Sequence, residues 1–181
     1  MQTFHSHTLV LTTALLAVAG CATSQVTAPP DLPAPLQAPS GQAAFVEALA
    51  TGVQIYECAP KPGDPSAFAW MFRAPEATLS DRSGRALGKH YAGPTWESID
   101  GSKVVGQAKA SDPGSDPAAI PWLLLTAKSS SGAGVFTQAA SIQRVRTVGG
   151  IAPIERCGAT NAGQIARVPY TATYYFYRVG P

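Results

Sequence analysis

Charge is what this chain has least of. Only 13% of its 181 residues are Asp, Glu, Lys or Arg, about half the share of an average soluble protein. Thirteen Lys and Arg against eleven Asp and Glu leave a net charge of +2. So small an imbalance excludes a strongly basic nucleic-acid binder and an acidic tail, and no nucleic-acid partner is expected. Histidine is also scarce, with three in all: His5, His7 and His90. The sequence contains no G-x-S-x-G, S-x-x-K or H-E-x-x-H, and no Asp-Thr-Gly or Asp-Ser-Gly, which removes the common hydrolase signatures. It also lacks G-x-G-x-x-G, so no cofactor is expected. Long helical patterns are missing as well. Seventeen Gly and sixteen Pro break the chain into short pieces joined by turns.

What is present begins with an address. Residues 8–20 form an apolar run ending in small residues. The run is too short to span a bilayer, which needs roughly 20 apolar residues, and it has the length of a signal-peptide core. Val18-Ala19-Gly20-Cys21 resembles the lipobox of bacterial lipoproteins. There the Cys is lipidated, with palmitate among its acyl chains, and becomes the first residue of the mature protein. The alternative is ordinary cleavage after Ala17-Val18-Ala19, giving a soluble periplasmic or secreted protein. Several acyl chains hold a protein stably on a membrane. Ala22 follows the Cys where inner-membrane lipoproteins carry Asp, so the resemblance points to the outer membrane, with the domain in the periplasm. Residues 22–40 carry Pro29, Pro30, Pro33, Pro35 and Pro39 and read as an extended tether, able to reach up to roughly 60 Å. The expected organisation is therefore a signal over 1–20, a lipidated Cys and tether over 21–40, and one domain over 41–181.

Once Cys21 is assigned to lipid, Cys58 and Cys157 remain as an even pair in an oxidising compartment. A disulfide between them would close a loop of about 100 residues, with a chain-entropy gain of up to roughly 4.7 kcal/mol. Two buried thiols or a metal pair are the alternatives. Only His90 is left as an imidazole ligand after signal removal, so no metal site is expected.

The body of the chain reads as strands. Residues 66–73 alternate, with Phe68, Trp70 and Phe72 on one face. Residues 80–85 are turn material between Leu79 and Leu87, and Asp100-Gly101 marks a second turn. Residues 119–125 are apolar on both faces and suit a strand covered twice, with Pro121 near its start. Residues 53–58, 142–148 and 168–179 read as further strands. Residues 112–117, 129–134 and 158–167 read as loops. Residues 43–50 are Ala-rich and open to either helix or strand. Eight or more short strands in about 140 residues predict an all-β domain, a compact antiparallel sandwich or barrel with little helix.

An ordered series of strings adds a resemblance. Gly52-Val53-Gln54-Ile55-Tyr56-Glu57-Cys58, His90-Tyr91-Ala92-Gly93-Pro94-Thr95-Trp96-Glu97 and Ile120-Pro121-Trp122-Leu123-Leu124 are its first members. They are followed by Thr147-Val148-Gly149-Gly150-Ile151-Ala152-Pro153 and Val168-Pro169-Tyr170-Thr171-Ala172. The series resembles the family of domain of unknown function 3455, found in exported bacterial proteins and in fungi, over residues 45–178. The resemblance implies no established activity, and it favours strand over helix for residues 43–50. Some members carry a dehydrogenase label, but this chain has neither a dinucleotide fingerprint nor alternating β/α elements.

Three constellations carry candidate chemistry. His90 with Glu97 or Asp100 could form a general base and its orienting carboxylate, with Ser102 or Thr95 as nucleophile. The competing reading is a histidine that braces a turn beside a core Trp96. Tyr175, Tyr177, Trp96 and Trp122, with Tyr91 nearby, could form an exposed platform for a planar or apolar ligand, or else pack in the core. Arg144 and Arg146, placed on one face by alternation, could clamp an anion, or pair with a carboxylate such as Glu155. The sequence is thus expected to encode a lipid-anchored, non-catalytic module that binds a small molecule or envelope component. A hydrolase centred on His90 and a purely structural envelope protein are the alternatives.

Overall fold

Alternation and turn chemistry build one closed sheet. A computed structural model describes Val26 and residues 32–180. The signal over 1–20, Cys21 and the first part of the tether lie outside the described residues. The strands are β1 (Gln42–Lys61), β2 (Asp64–Ser80), β3 (Ala86–Tyr91), β4 (Thr95–Ser98), β5 (Lys103–Asp112), β6 (Trp122–Ser131), β7 (Ser141–Gly149) and β8 (Ile165–Val179). Each pairs antiparallel with the next, and β8 returns to β1, closing an up-and-down barrel. The choice between sandwich and barrel is settled by β1. It runs for 20 residues and is long enough to pair with both β2 and β8. Irregularities at Ala44/Val46 and Ile55/Tyr56 supply the extra bend that closure needs.

Residues 43–50 are strand, paired with the C-terminal half of β8. Pairing with β8 along the whole segment, joined by β2 from Leu49 onward, outweighs the helix propensity of alanine. Ala48 and Ala50 are buried beside the large inward residues Tyr174 and Phe176, where a bigger side chain would collide. The predicted loop 158–167 is shorter than the sequence suggested, because residues 165–167 pair with Ile55, Tyr56 and Glu57.

The inward face is apolar and the outward face carries ion pairs, including Arg82–Glu47, Arg73–Glu57 and Arg167–Glu76. The packed part of the interior holds Leu79, Trp96, Val104, Leu125, Phe136, Ile142 and Phe176, all at most 2% exposed. Each such side chain contributes about 1.5–3 kcal/mol by leaving water. A 3-10 turn, Val135–Gln138, closes this end, and its Phe136 ring stacks on Phe176 at 4.4 Å. Asp100 holds that turn in place. Its carboxylate accepts from the Ser102 hydroxyl at 2.5 Å and from the Val135 N–H at 2.9 Å. Gly134, at φ 151°, has no room for a Cβ against the Asp100 carboxylate.

The outer wall of β7 and β8 is covered too. Val145, Tyr175 and Tyr177 form a buried cluster, against which Val26, Leu32, Ala38 and Trp122 pack. Leu36 is fully buried, and the Gln143 amide donates to its carbonyl at 2.6 Å. Residues 32–40, read from their prolines as the end of a tether, therefore lie along the barrel. Leu32 and Leu36 give that segment apolar surface to bury. The Cys58–Cys157 disulfide is formed, across 99 residues of sequence. It fastens the segment between β7 and β8 to β1, and Trp70 Nε1 donates to the Glu155 carbonyl of that segment at 2.9 Å.

Candidate functional site

Away from the Phe136 plug, the barrel is hollow. A cavity of about 470 Å³ is lined by Gln54 and Tyr56 of β1, Phe72 and Pro75 of β2, His90 of β3 and Trp96 of β4. Leu123 and Leu125 of β6, Arg144 of β7, Tyr174 of β8 and the Gly93-Pro94 turn complete most of the wall. Phe72, 52% exposed, marks its contact with solvent. An eight-stranded barrel is just wide enough either to be filled by side chains or to hold one small ligand, and this one does each in a different half. The Trp96 indole reaches the floor of the cavity because Gly106 leaves space. A Cβ there would come within 2.9 Å of the ring.

The lining is apolar apart from a few buried polar groups with unusual hydrogen bonding. Gln54 is 2% exposed, Trp96 and Tyr174 1%, and Tyr170, behind them, 3%. Gln54 Nε2, Trp96 Nε1 and the hydroxyls of Tyr170 and Tyr174 make no well-formed hydrogen bond among the described residues, although Gln54, Tyr170, Tyr174 and Arg144 lie side by side. Native interiors leave few such groups, and each one costs about 1–3 kcal/mol. Burial pushes both tyrosine hydroxyls upward, well away from ionisation. Arg144 donates from Nε and Nη2 to the Pro121 carbonyl, at 3.1 and 2.8 Å, and pairs with no carboxylate among the described residues.

His90 stacks on Trp96 at 4.4 Å and meets the edge of Tyr174 at 5.1 Å. Its Nδ1 donates to the Thr95 carbonyl at 2.9 Å. Burial holds its pKa down to about 3, so the ring is neutral at neutral pH. Glu97 does not reach it. His90 stands opposite Trp96 in the β3–β4 register, which places Glu97, one residue on, on the outer face. There Glu97 accepts from the Tyr91 hydroxyl at 2.7 Å and pairs with Lys103 at 3.3 Å. Asp100 is occupied at the plugged end, its pKa lowered to about 2 by the Ser102 hydroxyl and the Val135 N–H. The structure thus separates His90 from Glu97, Asp100 and Ser102, and no catalytic constellation is assembled from them.

Of the binding candidates read from the sequence, Trp96 and Arg144 line the cavity. Trp122, Tyr175 and Tyr177 belong to the covered outer cluster, and Tyr91 is on the outer face beside Glu97, so the aromatics do not meet as one exposed platform. Arg144 and Arg146 do not share a face either. The β7–β8 pairing is irregular between Val145 and Val148, with Arg146 at φ 51°. That bulge turns Arg146 outward toward the Tyr175 hydroxyl, at 3.4 Å. Sequence reasoning passed over Gln54, Tyr56 and Phe72 as site residues. Tyr170 and Tyr174, within the strand read over 168–179, were not among the candidates either. A polar Gln54 between inward-facing positions of β1 was the one available signal.

A family model described as a protein of unknown function (DUF3455) matches residues 39–178. No curated protein and no solved structure matches the chain.

Proposed function

The chain belongs to the DUF3455 family, and we propose that it is a non-catalytic binding protein of the bacterial envelope that takes one small, largely apolar molecule into its barrel. One observation carries this reading: the hollow half of the barrel is an apolar cavity in whose wall Gln54, Trp96 and Tyr174 are buried with polar groups that make no well-formed hydrogen bond among the described residues. Interiors pack densely, so a cavity of this size lined by buried donors stands out, and an occupant would supply it with both packing contacts and hydrogen bonds. A mostly apolar cleft with a few convergent polar groups is also the usual form of a ligand site. The lipobox-like Val18-Ala19-Gly20-Cys21 supports a lipid anchor at Cys21, which would station the barrel at the periplasmic face of the outer membrane.

The test uses the full chain with Cys21→Ser, expressed for export. This variant is expected in the soluble periplasmic fraction, whereas the unaltered chain pellets with membranes. Titration with the neutral fluorophore N-phenyl-1-naphthylamine should then give saturable one-to-one binding. Leu123→Trp, which fills the cavity from β6, should abolish it while the circular dichroism of the barrel is kept. Unsaturable binding, or saturable binding indifferent to Leu123→Trp, would place the probe elsewhere and sink the reading.

A further inference from the structure

The unpartnered groups of the cavity also select the chemistry of the occupant. An indole N–H, an amide NH2 and a guanidinium can only donate hydrogen bonds. Trp96, Gln54 and Arg144 supply these three groups around the cavity, the first two making no well-formed hydrogen bond among the described residues. Tyr174 adds a hydroxyl that stays protonated and can donate as well. The wall contains no Asp or Glu. The carboxylates of the neighbouring strands are already engaged: Glu47 with Arg82, Glu76 with Arg167 and Glu97 with Lys103 on the outer surface, and Glu57 with Arg73 at the edge of the cavity. The cavity is therefore rich in donors, with the Nε2 of neutral His90 as an acceptor. Of its two guanidiniums, Arg73 is paired with Glu57, and Arg144 has no carboxylate partner among the described residues. A charge half-withdrawn from water without a counter-ion is unfavourable, and a carboxylate is the partner that matches the planar fork of a guanidinium.

We infer that the occupant is a carboxylic acid with an apolar or aromatic body, its carboxylate received by Arg144 together with the Gln54, Trp96 and Tyr174 donors. The body would lie against Tyr56, Phe72 and Leu123 toward the mouth. The inference rests on the cavity being a binding site, and it excludes cationic ligands and disfavours neutral ones.

The experiment compares 2-naphthoate with its neutral counterpart 2-naphthalenemethanol. Both displace N-phenyl-1-naphthylamine from the exported Cys21→Ser chain. The acid should bind at least about tenfold more tightly, the scale of one charge-assisted hydrogen bond. Arg144→Gln should erase that preference while the neutral fluorophore still binds, which shows the variant to be folded. Equal affinity for acid and alcohol, or a preference that survives Arg144→Gln, overturns the inference and leaves the binding site standing. A second readout needs no variant. The affinity for naphthoate should fall as pH drops through the acid's own pKa, with the alcohol unaffected, and parallel curves would count against the carboxylate. Failure of the neutral fluorophore to bind removes the site itself, and this inference with it.

Discussion

The two halves of the barrel interior are made from the same strands and solved differently. Along β8 the inward residues run Tyr170, Ala172, Tyr174, Phe176. At the Phe176 end the inward side chains form a continuous apolar cluster, and the Val135–Gln138 turn seals the barrel with Phe136. Toward Tyr170, the neighbours are Gln54, Arg144 and Ile120, with hydroxyls left unpartnered. One half is held by burial from within. The other is fastened from outside, by the Cys58–Cys157 bridge and by the long pairing of β1 with β2 and β8. A closed sheet needs only one well-packed half to fix its register, which frees the other half to stay open for a guest.

The largest effect is expected from Phe176→Ala. Phe176 is fully buried, stacked on Phe136 and edge-on to Trp96 at 5.9 Å. Truncation should cost about 3–5 kcal/mol in denaturant unfolding, a large part of the stability of a domain this size. A loss under about 1.5 kcal/mol would mean that the packed half relaxes into the space left by truncation, and the contrast between the halves would be weaker than the geometry implies.

His90 sits on the seam between the halves and responds to pH. Burial holds its pKa in the folded chain at about 3, below the ordinary imidazole value of 6.5. The unfolded chain therefore takes up a proton as pH falls through 6.5, while the folded chain does not until near 3. Stability should be flat above pH 6.5 on this account and decline as pH falls, by about 2 kcal/mol between pH 6.5 and 4.5. The Asp81 and Asp100 carboxylates, held at about 2, add their own acid loss only at lower pH. Unfolding curves at several pH values check this, with His90→Phe expected to flatten the interval. A flat profile in the unaltered chain would show that His90 can be protonated in place, and that the seam is wetter than its burial indicates.

The packed half was more legible in the sequence than the hollow one, for a physical reason. Alternation in 66–73 and 168–179, turn residues at 80–85 and Asp100-Gly101, and the even cysteine pair are local or countable signals, and strands, turns and disulfide follow them. A void has no composition of its own. Arg144 and Trp96 stood out as candidates because Arg and Trp are conspicuous, but what made them neighbours was closure of β8 onto β1, which no local pattern announces. Arg146 was misplaced because a bulge breaks the alternation that put it beside Arg144. Tyr175 and Tyr177 read as a possible exposed face because the segment that covers them lies more than 130 residues earlier, in a stretch whose prolines read as a linker.

The smallest expected change in stability comes from Tyr174→Phe, and it bears most directly on the hollow half. A buried tyrosine with a satisfied hydroxyl typically loses about 1 kcal/mol when the oxygen is removed. The Tyr174 hydroxyl is buried and unpartnered among the described residues, and burial drives its pKa upward. Tyr170 and Arg144 lie beside it, but it makes no well-formed hydrogen bond with either, so the free protein should be unchanged or up to about 1 kcal/mol more stable on its removal. The same variant should hold naphthoate less tightly, because it has one donor fewer around the carboxylate. Stability and affinity would then move in opposite directions, which is the signature of a polar group kept for a ligand. If Tyr174→Phe instead destabilised the free barrel by about 1 kcal/mol, the hydroxyl would already be satisfied without a guest, most simply by ordered water. The hollow half would then be a hydrated interior, and the donors around Arg144 would no longer call for an anion.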